Sequence, residues 1–354
     1  MPVIKNSTES TILVTGSNGF LAMWIVDSLL KRGYNVRASV RNANKGKHLQ
    51  EIFKSFGNRL QIFPTGDMSK AGAFDEAVKG VDGIIHSAAQ VHLDAVEPKG
   101  AHADIIEPAI EGNLNILESA LKYGDRLKRI VITSSSSAII THAFEPVTIS
   151  EKNWNESAVD ECEEKGKDAS GLAKYCASKT LAEKAGWDFY ERHKSEIGWD
   201  ITFLNPPWIF GPLLHEVSSI KNLNSSNAFW YNAITKGDGG GASPRVSPSH
   251  GWVDVRDVAL AHVFSFEVEN AGGERIILCA GPFVFQDAID AVNKLQPTRW
   301  PSHKEPFSKG DAGEKEYKIT WNTEKEKRIF GIKFRTHEEM AQDILTDWES
   351  KGWN

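Results

Sequence analysis

Tyr175 and Lys179 stand four residues apart in a stretch of helical pattern running from Leu172 to His193. Four residues is about one helical turn, so both side chains lie on one face. A phenol with an ordinary pKa of about 10 is a poor acid–base group at neutral pH. An ammonium one turn away favours the phenolate and lowers that pKa. Such a pair can protonate a carbonyl oxygen as hydride reaches its carbon, while the lysine hydrogen-bonds a nucleotide ribose. The spacing alone is common by chance, and an exposed helical face is the bland alternative. Ser134 to Ser137, four serines in a row after the apolar run Arg129 to Thr133, raise its weight. A hydroxyl at the C-terminal end of a strand can hold the carbonyl oxygen and stabilise developing charge. A tight serine-rich loop is the alternative there.

A second group of residues suits a nucleotide. Gly16-Ser-Asn18-Gly19-Phe20-Leu21-Ala22 lies between the strand-like run Thr11 to Thr15 and a helical pattern from Phe20 to Leu30. Small residues let the backbone approach a pyrophosphate, and the helix N-terminus offers free N–H groups and a positive dipole end. The spacing is Gly-x-x-Gly-x-x-Ala, not Gly-x-Gly-x-x-Gly, so a ligand-free tight turn competes with it. Arg41 follows the next strand-like run, Asn35 to Val40, and no Asp or Glu occurs between Tyr34 and Gln50. An acid there would bind a ribose 2′-hydroxyl, whereas a guanidinium pairs with a 2′-phosphate. Lys45 and Lys47 add to the positive charge. The cofactor expected is therefore NADPH, although a solvated surface arginine would look the same. Asp67, in Gly66-Asp67-Met68, is read as accepting from the adenine amino group or as capping a following helix. The expected cofactor contacts are Gly16, Asn18, Gly19, Phe20, Leu21, Arg41, Lys45, Asp67 and Met68, together with Tyr175 and Lys179.

These groups need a scaffold that brings them to one edge. Short apolar runs alternate with longer helical patterns: Leu60 to Phe63, Gly83 to His86, Arg129 to Thr133 and Asp200 to Leu204 as strands, with helical patterns at Ala101 to Tyr123 and Leu172 to His193 between them. Repeated strand–helix–strand units imply an α/β fold with a parallel, doubly wound sheet covered on both faces. The rhythm breaks after Asn205, where Pro, Gly, Ser and Asn are frequent. Shorter elements follow at Trp252 to Phe266, Arg275 to Leu278, Phe283 to Leu295 and Thr336 to Trp348. The expected division is residues 1–205 as mainly cofactor-binding and 206–354 as a smaller substrate lobe, with a crossing back to the sheet near 252–268. Ligands of such sheets bind beyond the C-terminal ends of the strands.

The bulk numbers bound the partners. The 354 residues are 40% apolar and carry a net charge of −6, with no basic block, so nucleic acid is not expected. No stretch approaches the roughly 18 apolar residues of a membrane helix. No signal peptide is read at the N-terminus, and the three scattered cysteines, Cys162, Cys176 and Cys279, suggest neither disulfides nor a metal site. A cytoplasmic enzyme, monomeric or homodimeric, is the expectation.

The order of Gly-x-x-Gly-x-x-Ala, Arg41, Thr133-Ser-Ser and Tyr-x-x-x-Lys resembles the extended short-chain dehydrogenases/reductases. More narrowly it resembles the branch of dihydroflavonol reductases, cinnamoyl-CoA reductases and similar microbial aldehyde and ketone reductases. Ile106 to Asn115 (IEPAIEGNLN), Asn205-Pro206-Pro207 with Gly211-Pro212, Trp252 to Ala259 (WVDVRDVA) and Phe330 to Phe334 (FGIKF) match as well. The resemblance spans nearly the whole chain. It implies a Rossmann sheet and places the catalytic serine on Ser135, with Ser136 as the neighbouring candidate. It also implies Tyr175 as proton donor, Lys179 as its partner, Pro206 against the nicotinamide and Ala88 against the cofactor backbone. The asparagine that many relatives carry early in the helix before the fifth strand has no clear counterpart beside Glu107-Pro108-Ala109, so its proton-relay role is unassigned. Gln90, Val91, His92, Ser136, Ile139, Trp208 and Ile209, with Phe229 or Tyr231, are expected to line the substrate pocket. The charged segment Glu151 to Gly171 is expected to form a loop beside it. The function expected is NADPH-dependent reduction of a hydrophobic or aromatic aldehyde or ketone. A nucleotide-sugar epimerase or dehydratase and a non-catalytic NADP sensor are the alternatives.

Overall fold

The computed structural model describes residues 3–4, 7–88, 105–140, 146–238, 250–311 and 313–353. Strand β1 (Thr11–Thr15) is buried along nearly its whole length. It is central in a sheet covered on both faces, so it has no solvent side to alternate towards. Helix α1 (Phe20–Lys31) buries Ala22, Met23, Ile25, Val26, Leu29 and Leu30, the stripe of one helical face. Gly33, at φ 98°, turns the chain into β2 (Asn35–Val40), and the short α2 (Lys47–Ile52) leads on to β3 (Leu60–Pro64). The alternation continues through β4 (Gly83–His86), α3 (Glu107–Tyr123) and β5 (Arg129–Thr133). After β6 (Val147–Ile149) come two helices, α4 (Glu156–Lys165) and α5 (Gly171–His193), and then β7 (Asp200–Asn205).

The remaining elements are β8 (Trp208–Phe210), α6 (Ser225–Lys236), β9 (His250–Asp254), α7 (Val255–Glu267) and β10 (Glu274–Ile277). They are followed by β11 (Gly281–Phe283), α8 (Phe285–Lys294), β12 (Ile319–Trp321), α9 (Glu324–Ile329) and α10 (His337–Ser350). The main sheet runs β10-β7-β5-β4-β1-β2-β3, and every pairing in it is parallel. The winding reverses between β1 and β4, and that switch point leaves a crevice at their C-terminal ends. Helix α7 packs on α1, and β10 adds an edge strand, so the C-terminal half returns to the sheet.

Two further clusters position the site. A buried ion pair joins Arg129 and Asp200, register partners at the first residues of β5 and β7. Arg129 also donates to the carbonyl oxygens of Val268 at 2.8 Å and Glu269 at 3.1 Å. Helices α6, α8 and α10 enclose Trp230, Trp300 and Trp348, all fully buried. They pack beside a small sheet in which β9 pairs with β8 and β11.

The segment Glu151 to Gly171 is not a loop. Its middle forms α4, started by Asn155, whose side chain accepts from Ala158 N–H, and closed at Gly166 with φ 55°. Charge hides this helix. Only Ala158, Val159 and Cys162 are buried, and they pack against Ala173, Cys176 and Ala177 of α5. No described helix is long and apolar enough to cross a membrane.

Candidate active site

The crevice between β1 and β4 is shaped by a close backbone approach. Gly16 has φ +64°, and a Cβ there would lie 3.0 Å from Ala88 Cα. Only glycine takes that conformation and leaves that space open. Thr15 Oγ1 accepts the Ala88 N–H at 3.1 Å and shares a 3.0 Å hydrogen bond with His86 Nδ1, locking the two strand ends together. Gly19 N–H donates to Gly16 O at 2.9 Å. Gly19 is the N-cap of α1, no side chain caps that helix, and its first turn holds no acid. The N–H groups beyond Asn18, at Phe20 and Leu21, are thus arranged as an anion cradle. These residues fit a dinucleotide pyrophosphate.

Further along the same edge, Arg41, Lys45 and Lys47 are exposed, and Arg41 forms no ion pair among the described residues. The Asn42 side chain accepts from Lys45 N–H and shapes the turn between β2 and α2. Asp67 Oδ1 accepts from Ser69 N–H at 3.1 Å and Ser69 Oγ at 2.9 Å, closing a turn. Turns follow it through Lys79, so Asp67 caps no helix. Asn115, not singled out from the sequence, donates from Nδ2 to Met68 O at 2.9 Å. Gly112 lies under Met68 as well, since a Cβ there would fall 2.8 Å from Met68 Cε. Together they fix the Asp67–Met68 corner on α3.

The Ser, Tyr and Lys residues meet at the ends of β5 and β7. Ser135 is extended (φ −156°, ψ 152°) and starts a single helical turn at Ser136–Ala138, accepting Ser137 N–H at 3.0 Å. The hydroxyls of Ser135 and Ser137 lie close enough to the Tyr175 phenol to favour its charged form. Ser137 is an addition to the expected set, because spacing alone cannot rank four consecutive hydroxyls. Ser136 is buried, and its N–H donates to Pro206 O at 2.9 Å. It therefore fastens Pro206 to the serine turn.

Burial sets the charge states. It pushes the Tyr175 phenol up, against the two serine hydroxyls. It pushes Lys179 down to about 8, opposed by the Glu183 carboxylate. The lowering of the phenol expected from the ammonium does not appear: burial raises the phenol, and the groups that oppose it are the two serine hydroxyls. His86 is pushed down to about 3 by burial and then by the Lys179 charge, so it is neutral near pH 7. A neutral phenol beside serine hydroxyls and a lysine that exchanges its proton near neutrality can donate a proton to an oxygen in the crevice.

The expected pocket residues separate. Trp208 and Ile209 are half-buried on β8. The Trp208 ring lies 5.3 Å from Phe229, 5.8 Å from His250 and 6.0 Å from Phe285, centre to centre. Tyr231 points the other way, to Trp300 and Trp348. Ile139 is fully buried in a cluster with Ile277 and Ile319. Gln90, Val91 and His92 lie outside the described residues.

Comparisons with known proteins show the family and the fold. The profile of the NAD dependent epimerase/dehydratase family matches residues 12–280. The NADPH-dependent methylglyoxal reductase GRE2 of Saccharomyces cerevisiae is 32% identical over 350 residues, covering 95% of this chain and 97% of its own. The ketoreductase azaE of Aspergillus niger is 32% identical over 352 residues, covering 96% and 98%. The structure of yeast methylglyoxal/isovaleraldehyde reductase Gre2 complexed with NADPH superposes with a TM-score of 0.81 at 29% identity, over 97% of this chain and 99% of that one.

Proposed function

Since the chain belongs to the NAD dependent epimerase/dehydratase family, we propose that it uses NADPH to reduce an aldehyde or ketone to the alcohol, with Tyr175 as proton donor. The observation that carries this reading is the Tyr175 phenol beside the Ser135 hydroxyl at the sheet edge where Gly16 meets Ala88. NADPH supplies the hydride that reaches the carbonyl carbon. Gly16, Asn18, Gly19, Phe20 and Leu21 hold the pyrophosphate on the α1 N-terminus. Arg41 and Lys45 meet the 2′-phosphate, and Asp67 and Met68 border the adenine. Ala88 and Pro206 wall the cofactor. Ser135 holds the carbonyl oxygen within reach of Tyr175, and Lys179 orients the ribose and compensates the phenolate left after transfer. Of the two candidate serines, Ser135 is favoured because its hydroxyl acts on the Tyr175 phenol, whereas Ser136 is buried and does not.

The aromatic group of Trp208, Phe229, His250 and Phe285 supports a hydrophobic or aromatic substrate. Residues 1–205 would mainly bind the cofactor and 206–354 the substrate, in a cytoplasmic monomer or homodimer. The test is NADPH consumption with a panel of aromatic and aliphatic aldehydes and ketones. NADPH binding without reduction of any carbonyl overturns the proposal. Tyr175→Phe is expected to lower kcat by roughly 10²- to 10⁴-fold while leaving NADPH Kd nearly unchanged. Retained turnover would remove Tyr175 as the proton donor.

A further inference from the structure

Behind the serine, tyrosine and lysine lies a carboxylate that the mechanism above does not use. Glu183 stands one turn beyond Lys179 on α5 and is 1% exposed. Its Oε2 accepts from Ser134 Oγ at 2.5 Å and from Asn205 Nδ2 at 2.7 Å. Its Oε1 accepts from Arg275 Nε, on β10, at 2.5 Å. Arg275 is 6% exposed. It donates to the carbonyl oxygens of Glu151 at 3.0 Å and Asn153 at 2.6 Å, and stacks 3.6 Å from the centre of the Trp154 ring. A buried carboxylate is costly unless it is paired and hydrogen-bonded, and here both oxygens are.

We propose that Glu183 is a positioning residue for Ser135, fixing the serine turn and the end of β7 against the helix that carries Tyr175. The inference rests on the reading that Ser135 and Tyr175 act on the carbonyl. Neighbouring side chains of an extended segment point to opposite sides. Ser134, held inward by Glu183, therefore turns Ser135 outward to Tyr175. Asn205, held by the same carboxylate, also donates to Ser135 O at 3.2 Å and precedes Pro206. Tyr175 and Glu183 share α5, so Ser135 takes its position from the same element as its partner. Glutamine could not substitute. Arg275 and Asn205 both present N–H donors, and an amide offers one acceptor oxygen where the carboxylate offers two.

The test uses the full chain. Glu183→Gln is expected to lower kcat for carbonyl reduction roughly 10- to 100-fold, with NADPH Kd changed by less than about twofold. If Glu183 acts through Ser135, the double variant Ser135→Ala/Glu183→Gln will match Ser135→Ala alone within about threefold. Losses that multiply would overturn the proposal, because Glu183 would then act through another group, such as Lys179, whose charge it supports, or through general damage. If Glu183→Gln does not fold, Ser134→Ala replaces it in the same cycle, with a smaller loss that Ser135→Ala must also absorb. Full activity of Glu183→Gln beside an impaired Ser135→Ala defeats this inference and spares the reductase reading. A wild type that reduces no carbonyl defeats the reading. Crystal structures then decide the inference separately: Ser135 displaced from Tyr175 in Glu183→Gln, or in Ser134→Ala where Glu183→Gln does not fold, upholds it, and an unmoved Ser135 overturns it.

Discussion

Arg41 is one exposed side chain on which the proposed choice of cofactor turns. It follows β2, faces solvent and makes no ion pair among the described residues. An unpaired guanidinium costs nothing to hold in water and is ready for a bidentate phosphate contact. Arg41→Glu places a carboxylate where a ribose 2′-hydroxyl would be bound and a 2′-phosphate repelled. The expected outcome is NADPH Kd raised by at least about tenfold, the scale of a lost charge-assisted hydrogen bond, with kcat/KM shifting towards NADH. Steady-state kinetics with both cofactors checks it, and an unchanged preference would take Arg41 out of the 2′-phosphate site. This residue was legible in the sequence because its signal is local: a basic residue at a strand end with no acid nearby. Ser137 and Glu183 were not legible in that way. Their roles depend on which of several hydroxyls and carboxylates the fold turns inward, and spacing does not encode that.

Elements show the same division. The strands at Thr11–Thr15, Gly83–His86 and Arg129–Thr133 could be read directly, because a parallel strand buried on both faces is a short, mostly apolar run. Helix α4 escaped because three small buried residues among charges carry little periodicity. Helix α6 escaped because it sits in a span rich in Asn and Ser, and β6 and β12 are three-residue strands that find each other across the chain. Arg129 was seen only as the first residue of a strand, yet it pairs with Asp200 in the interior at the N-terminal ends of β5 and β7. Arg129→Met leaves Asp200 buried and uncompensated, which costs about 3–5 kcal/mol. Urea unfolding is expected to show a lower midpoint with an unchanged slope. Adding Asp200→Leu should recover most of the loss, since the buried charge is then gone. A single variant as stable as wild type would show that water reaches the pair.

For the whole molecule, acid is the informative stress, because several histidines are held neutral by burial, two of them on opposite faces of the main sheet. His86, at the end of β4, is 1% exposed and pushed down to about 3 by burial and the Lys179 charge. His262, on α7, is 0% exposed and pushed down to about 4 by burial, although its hydrogen bond to Val258 O opposes the shift. Its Nε2 shares a 2.7 Å hydrogen bond with Thr133 Oγ1, at the end of β5 just before the serine turn. In the unfolded chain each imidazole titrates at about 6.5. Above that value neither state binds the proton, and the folded state keeps its full stability. Below it the unfolded state takes up protons that the folded state refuses, so stability falls with pH until the folded values are reached. The slope is about 1.4 kcal/mol per pH unit for each histidine. From about pH 6.5 to about pH 5, where most carboxylates are still ionised, the two together are expected to remove roughly 3–4 kcal/mol. His215 and His337, also pushed down to about 4 by burial, add to the same loss. Urea midpoints across that interval measure it, and His262→Gln should lower its slope by about a quarter. A midpoint that stays level from neutrality to about pH 5 would mean that these rings take up protons in the folded protein, and that the sheet edge beside Lys179 and the serine turn is not held neutral.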